Sequence, residues 1–300
     1  MGTTWSTKAV APTDFDARAA EAALRAALDA IIAQMSGWAP DSTLSQFNAA
    51  GAGATYDLPA HFHAVLQCAL DVARRSDGAF DPSLGALVDL WGFGAHPVAG
   101  DPAAREIADA LAQSGWAKLT PDGSRLKQPG GLRLDLSGIA KGYAVDELAR
   151  VLSERGLNSF LVEIGGELRG AGVKPDAQPW WVDIEEPPGS PRAPILLALH
   201  NLAIATSGDY QRFDESSGRR ISHTIDPRTG RPLESSPASV SVIHPTCMLA
   251  DAYATALMVM GVEDGLRFAT TNALAARFVR GAESGFEEIL TPAFAAMLEE

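Results

Sequence analysis

Three short stretches of the chain combine residue types that can do chemistry. The first is Leu134-Asp135-Leu136-Ser137-Gly138-Ile139-Ala140-Lys141-Gly142-Tyr143. It alternates like a strand, turns through Gly138 and enters a helix with Lys141 in its first turn. Free N–H groups at a helix start, with an ammonium beside them, suit a pyrophosphate. Gly138 has no Cβ, so its carbonyl stays open to a ligand or a metal ion. An ordinary strand-to-helix connection with a solvated lysine fits the same residues. The second stretch is Ala205-Thr206-Ser207-Gly208-Asp209-Tyr210, followed by Ser222-His223-Thr224-Ile225-Asp226-Pro227-Arg228-Thr229-Gly230-Arg231-Pro232. His223 sits at a strand end among hydroxyls and a carboxylate, where it can act as a general base near neutral pH. A His–Asp hydrogen bond that only braces a turn is the plainer reading. The third stretch runs from Met248 to Leu257. There Asp251 and Thr255 stand at i and i+4 on an otherwise apolar helix, so their oxygens share a side. A carboxylate with a hydroxyl is hard oxygen ligation, suited to Mg²⁺ that keeps other positions for water or phosphate. The alternative is Asp251 as a helix cap and Thr255 bonded back to its own helix.

Elements of both periods must position these residues. Helical spacing predicts helices over about 15–35, 60–76, 102–113, 139–155 and 248–260, the last ended by Gly261. Ser42 or Thr43 is placed to cap a short turn that carries Leu44 and Phe47. Gly156 suits the position just after the 139–155 helix. Strands are expected over about 132–136, 159–164, 180–186, 194–200, 202–206, 219–225 and 237–243. Helices early and strands late read as α+β, with helices packed on a mixed β-sheet. A doubly wound parallel sheet is the alternative. No internal repeat is visible, and residues 1–300 read as a single domain with a helix-rich first half and a strand-rich second half.

Composition excludes several classes. Hydrophobic residues are 46% and charged residues 20%, which rules out disorder as the main state. Lysine and arginine number 24 against 37 acids, a net charge of −13. So acidic a chain is a poor nucleic-acid binder, since phosphates need basic stripes. An anionic ligand must then be held by local devices. Cys68 and Cys247 form no C-x-x-C pair and no disulfide framework. His61 and His63, two apart on a helix, do not share a face. Gly165, Gly166, Gly170 and Gly172 fail the spacing of a dinucleotide fingerprint, and no P-loop, G-x-S-x-G or H-E-x-x-H is present. No apolar run reaches the ~18 residues of a membrane span.

Taken in order, these segments resemble the FAD:protein FMN transferase family, the ApbE-type flavin transferases. The likeness runs nearly end to end. It starts at Met1-Gly2-Thr3 and continues through Met35-Ser36-Gly37-Trp38, Asp41 to Ser45 and Asn48. Next come Gly78-Ala79-Phe80-Asp81-Pro82 and Leu90-Trp91-Gly92-Phe93-Gly94. Asp135 to Gly142, Ile164-Gly165-Gly166-Glu167, Thr206 to Tyr210, Ser222 to Pro232 and Ala250-Asp251 to Thr255 complete it. The resemblance implies a Mg²⁺-dependent transfer of FMN, taken from FAD, onto a threonine of a target protein, with AMP leaving. It implies FAD against Met1, Trp38, Ala79, Phe80, Asp81, Asp135, Lys141 and Ile225. It implies the metal on the Gly138 backbone oxygen, Asp251 and Thr255. Ala254 stands where some members carry a further aspartate, so one carboxylate fewer is expected. The implied partner is a threonine-bearing protein, a subunit of a membrane redox complex.

The residues fit that chemistry on their own terms. A metal and Lys141 can neutralise a splitting pyrophosphate. His223 can take the hydroxyl proton, with Asp209 the next candidate. Trp38 and Phe80 can wall the flavin ring by stacking. Two other readings use the same residues: hydrolysis of FAD to FMN and AMP, and flavin carriage without turnover. The opening residues Met1-Gly2-Thr3-Thr4-Trp5 carry no basic n-region or apolar h-region, so they do not read as a secretory signal. The expected location is the periplasmic side of the inner membrane if a leader has been removed, and the cytoplasm otherwise.

Overall fold

A computed structural model describes residues 2–97, 100–208, 213–214, 221–234, 237–282 and 285–298. The chain divides into two compact units. The first comprises Met1–Ala30, Ile139–Gly208 and Pro237–Glu300; the second comprises Ile31–Gly138 and Asp209–Ser236.

The first unit is built on a seven-stranded sheet. Its order is Trp5–Ala9, Phe160–Ile164, Glu167–Ala171, Leu202–Gly208, Ser239–His244, Ala275–Ala282, Gly285–Leu290. Every pairing is antiparallel. The α+β class therefore holds, while the sheet is antiparallel throughout where a mixed one was expected. Short returns between successive strands, such as Gly165-Gly166, impose that direction. Helices Ala140–Glu154 and Cys247–Thr271 pack on each other and on the sheet. A hairpin of Trp180–Asp183 and Leu196–Leu199 and the short helix Pro292–Ala296 join a second apolar cluster, with Ile204, Ile243 and Ala275. Strand Ser239–His244 is thus buried almost continuously and lacks polar alternation.

Three expectations are corrected here. Helical backbone resumes after Gly261, whose φ of 76° kinks the Cys247–Thr271 helix without ending it. The Leu132–Leu136 segment alternates in burial but joins no ladder; its one bridge is Leu84 with Arg133. The region expected as strand 219–225 holds only the two-residue strands Ile221–Ser222 and Ile225–Asp226 among the described residues.

The second unit carries helices Thr43–Ala49, Ala60–Arg75, Gly85–Leu90 and Ala104–Gln113, with short antiparallel pairs. Ser42 is the cap of the first, its hydroxyl accepting from the Ser45 amide at 3.0 Å. Leu84, Leu87, Ile107 and Ile225 form one buried cluster. Asn48 grips Leu134 from both sides: its Oδ1 accepts from the Leu134 amide at 2.7 Å and its Nδ2 donates to the Leu134 carbonyl at 2.8 Å. Among the described residues, no helix is long and apolar enough to cross a membrane.

Candidate active site

In the first unit, Lys141 lies in the opening turn of its helix and Asp251 in the second turn of the other. The two helices meet at Gly142. A Cβ there would stand 2.3 Å from the Cys247 carbonyl oxygen and 2.8 Å from the Asp251 Cβ, so only glycine permits this approach. The Gly142 amide donates to Asp251 Oδ2 at 2.9 Å. Lys141 Nζ donates to Glu167 Oε1 at 2.5 Å. Asp251 and Glu167 are 4% and 2% exposed, so two carboxyl groups are buried beside one half-buried ammonium. Thr255 Oγ1 stands 3.4 Å from Ser207 Oγ. Thr206 Oγ1 and Ser241 Oγ bond at 2.8 Å on the opposite face of the sheet, since Thr206 and Ser207 are successive residues of one strand.

Asp251 is not the helix cap. The cap position is Thr246, and the amides of Cys247 and Met248 donate instead to Asp146. That leaves the Asp251 carboxylate with one protein amide and the nearby ammonium.

The electrostatics of this cluster are short of positive charge. Burial, and then the neighbouring Asp251, push Glu167 up to about 8 against the pull of Lys141. Burial likewise raises Asp251, opposed by Lys141 and the Gly142 amide. For Lys141, burial lowers the ammonium, but the two carboxylates outweigh it and hold it above its ordinary range. Glu167 Oε2 is buried without a hydrogen-bond partner. These observations suit a hard cation: the oxygens of Asp251 and Thr255 are of the right type, and added positive charge would relieve both acids. No group of three His, Cys, Asp or Glu suited to a metal occurs among the described residues. A cation here would keep several waters, as Mg²⁺ does.

The folded chain holds the Glu167 proton more tightly than an unfolded chain, where the group titrates near 4.5. Stability should therefore fall as pH rises from about 4.5 towards 8. Denaturant unfolding in a chelator should show a decline of a few kcal/mol, in order of magnitude. Glu167→Gln should flatten it. An equally steep decline in that variant would move the responsible proton elsewhere.

In the second unit, Trp38 is 64% exposed on a braced turn. Its amide donates to Ser36 Oγ at 3.2 Å, and Ser42 Oγ donates to the Ser36 carbonyl at 2.6 Å. Phe80 is a correction: it is 3% exposed, so its ring is core and offers no face for stacking. Ala79 lies beside it, its amide donating to the Ser76 carbonyl. Asp81 braces its own loop. Its Oδ1 accepts from the Ser83 amide at 2.8 Å and hydroxyl at 2.6 Å, and its Oδ2 accepts from the Trp116 amide at 3.1 Å. Burial raises its pKa against these bonds. The Asp135 amide donates to the Pro82 carbonyl at 2.8 Å, which brings the Asp81 and Asp135 segments together. The Asp135 carboxylate accepts from the Ser137 amide and hydroxyl. Gly138 ends the first of the two segments of this unit.

Ile225 is buried in the Leu84–Leu87–Ile107 cluster, so only its backbone can meet a ligand. His223 packs edge-on against Phe93, with ring centroids 6.3 Å apart. Asp226 accepts from the Arg228 amide and guanidinium at 2.9 Å, closing the tight turn. Trp91 Nε1 donates to the Gly230 carbonyl at 2.8 Å and ties the same turn to the Leu90–Gly94 loop. Met1 and Asp209 lie outside the described residues.

The model of the ApbE family matches residues 1–278. The chain belongs to the ApbE family. Its similarity to curated members is full-length. It is 37% identical to the FAD:protein FMN transferase of Vibrio cholerae, covering all of this chain and 91% of that enzyme. It is 34% identical to that of Klebsiella pneumoniae, covering 99% and 87%. Among solved structures, the apo flavinyl transferase ApbE of Pseudomonas stutzeri matches with a TM-score of 0.92 at 39% identity, covering 100% of this chain and 95% of that one. The flavin transferase ApbE of Vibrio cholerae matches with a TM-score of 0.92 at 36% identity, covering 99% and 96%. Within this ApbE-family chain, Glu167 and Asp146 carry site contacts that residue types alone did not assign. Glu167 stands in the Ile164-Gly165-Gly166-Glu167 motif, and that family likeness was its only signal. Asp146 had none, because its partners lie 101 and 102 residues away.

Proposed function

We propose that this chain moves the FMN half of FAD onto a threonine hydroxyl of a target protein. The hydroxyl oxygen bonds to the FMN phosphorus, the pyrophosphate P–O bond breaks, AMP leaves, and the hydroxyl proton goes to His223. The observation that carries the reading is the pairing of Lys141 with the buried Glu167, beside the buried Asp251, at a glycine contact between two helices, in a chain of the ApbE family. Mg²⁺, held by Asp251 and Thr255, would supply charge neutralisation at the phosphates. Lys141 adds an ammonium held charged by its two acids, positioned by Glu167. Trp38 gives the flavin an exposed aromatic face. The acceptor class is a threonine-bearing subunit of a membrane redox complex, as the family resemblance suggests.

The deciding experiment incubates the protein with FAD and Mg²⁺, with and without a threonine-bearing target. Flavin fluorescence that stays with the denatured target is the expected result. AMP formed equally fast without a target would make the chain an FAD pyrophosphatase, and no product at all would make it a carrier. A binding measurement accompanies it. FAD should quench tryptophan fluorescence, and Trp38→Ala should weaken FAD binding by about tenfold, the loss of one stacking contact of ~1–1.5 kcal/mol. Unchanged affinity would remove Trp38 from the site.

A further inference from the structure

The helix that carries Asp251 is not capped by its own residues. Its cap residue Thr246 makes no side-chain bond to the helix. The Thr246 hydroxyl lies 3.0 Å from His244 Nδ1, and the Thr246 amide donates to the same nitrogen at 3.0 Å. The hydroxyl is therefore turned away from the amides it would otherwise cap. Those amides find their acceptor on a different helix. Asp146 Oδ1 accepts from Cys247 N at 3.0 Å and Asp146 Oδ2 from Met248 N at 2.9 Å. Arg169 donates to the same carboxylate, which is 17% exposed.

The placement of Asp146 gives this cap a second consequence. Asp146 lies four residues after Gly142 on the Lys141 helix, and Asp251 lies four residues after Cys247 on the other. Two contacts one turn apart, Gly142 with Asp251 and Asp146 with Cys247, therefore connect the helices. Glu167 and Arg169 are alternate residues of one strand, so they share a face. They pair with Lys141 and Asp146 respectively. A cap supplied locally would stabilise the helix end alone. A cap supplied from the neighbouring helix also fixes how far one helix can slide along the other.

We propose that Asp146, aimed by Arg169, is a positioning residue that sets the axial register of the Asp251 helix against the Lys141 helix. It thereby places the Asp251 carboxylate on the Gly142 amide. Its bearing on catalysis rests on the reading of Asp251 as a metal-holding residue; its bearing on register does not.

The test separates capping from register. Asp146→Ala removes both functions. Adding Thr246→Asp to it restores a local cap of a strongly preferred type. Hydrogen exchange of the Gly142 amide reads the register directly, without metal or flavin. It is expressed relative to the buried amides of strand Phe160–Ile164 in the same molecule, so that a general loss of stability cancels. The double variant is expected to regain the parent's melting temperature, yet to show Gly142 exchange about tenfold faster on this relative scale. The Mg²⁺ concentration for half-maximal transfer should rise about 10–100-fold, the usual effect of losing a group that orients a metal ligand. A relative Gly142 exchange rate equal to the parent's, in the single or the double variant, overturns the proposal. Faster Gly142 exchange with unchanged Mg²⁺ dependence would uphold the register and overturn the metal reading of Asp251 instead.

Discussion

Asp251→Asn is expected to lower FMN transfer by about 10³-fold at saturating FAD, while the melting temperature stays close to the parent's. The two halves of that expectation have separate causes. The asparagine keeps an oxygen where Asp251 Oδ2 accepts from the Gly142 amide, so that amide keeps its acceptor. Lys141 keeps Glu167 as its ion-pair partner. What disappears is one buried negative charge. A metal at a splitting pyrophosphate contributes several kcal/mol of charge stabilisation, which corresponds to a factor of ~10³. Asp251→Ala should show the same catalytic loss plus about 1–3 kcal/mol of instability, because it strands the Gly142 amide. A third readout comes from Glu167, which is driven upward partly by the charge of Asp251. Removing that charge should lower the Glu167 pKa and shrink the fall in stability between pH 4.5 and 8. Transfer assays across a Mg²⁺ titration and unfolding across pH check both. If Asp251→Asn transfers FMN with the parent's Mg²⁺ dependence, the carboxylate is only a brace between helices.

Gly142→Ala tests the same contact from the other side. The added methyl cannot be accommodated by a flexible neighbour, since the nearest atom is a backbone carbonyl at 2.3 Å. Forcing the helices apart should cost about 1–3 kcal/mol, seen as a lower melting temperature, and should displace Asp251 as well. A variant as stable as the parent would mean that the helices separate freely.

How much of this was legible in the sequence depended on the distance between partners. Helices with a clear apolar face were read within a few residues. Ala20, Leu24, Leu28, Ile31 and Met35 are all buried on the Ala17–Met35 helix. The Asp251–Thr255 pair was visible because i, i+4 spacing is itself a geometric statement. Strand Glu167–Ala171 was hidden by Gly170, which is required because a Cβ there would meet the Leu199 backbone at 2.7 Å. Leu132–Leu136 misled in the opposite sense: extended chain against a core alternates in burial whether or not it pairs. Phe80 shows a third limit. An aromatic beside a glycine turn reads equally as a ligand wall or as core, and burial decides for core. The ion pair Lys141–Glu167 joins residues 26 apart, and the Asp146 cap joins residues more than 100 apart. No local pattern records such pairings.

His223→Ala should lower the rate of FMN transfer by about 10²–10⁴-fold, the usual contribution of a general base, while FAD still binds. The imidazole lies in the second unit at the opening of a turn that is rigid for stated reasons. Asp226 holds Arg228, the Gly230 amide donates to the Asp226 carbonyl at 2.8 Å, and Trp91 grips Gly230. Phe93 meets the ring edge-on, which limits its rotation. A base held this way has a fixed direction of attack on a proton, and that orientation is part of what makes it effective. Protonation removes its ability to accept, so the parent's rate should fall on the acid side and the variant's should not follow the same limb. A rival mechanism leaves the reaction to the metal and Lys141, with the hydroxyl losing its proton late to phosphate or water. It makes the opposite forecast for the pH profile. The decisive comparison is therefore transfer rate against pH for parent and His223→Ala, at saturating FAD and Mg²⁺. Loss of rate together with loss of the acid limb assigns the base. A variant within a few-fold of the parent, with the acid limb intact, would make His223 a turn residue packed on Phe93, and Asp209 would then be the residue to substitute next.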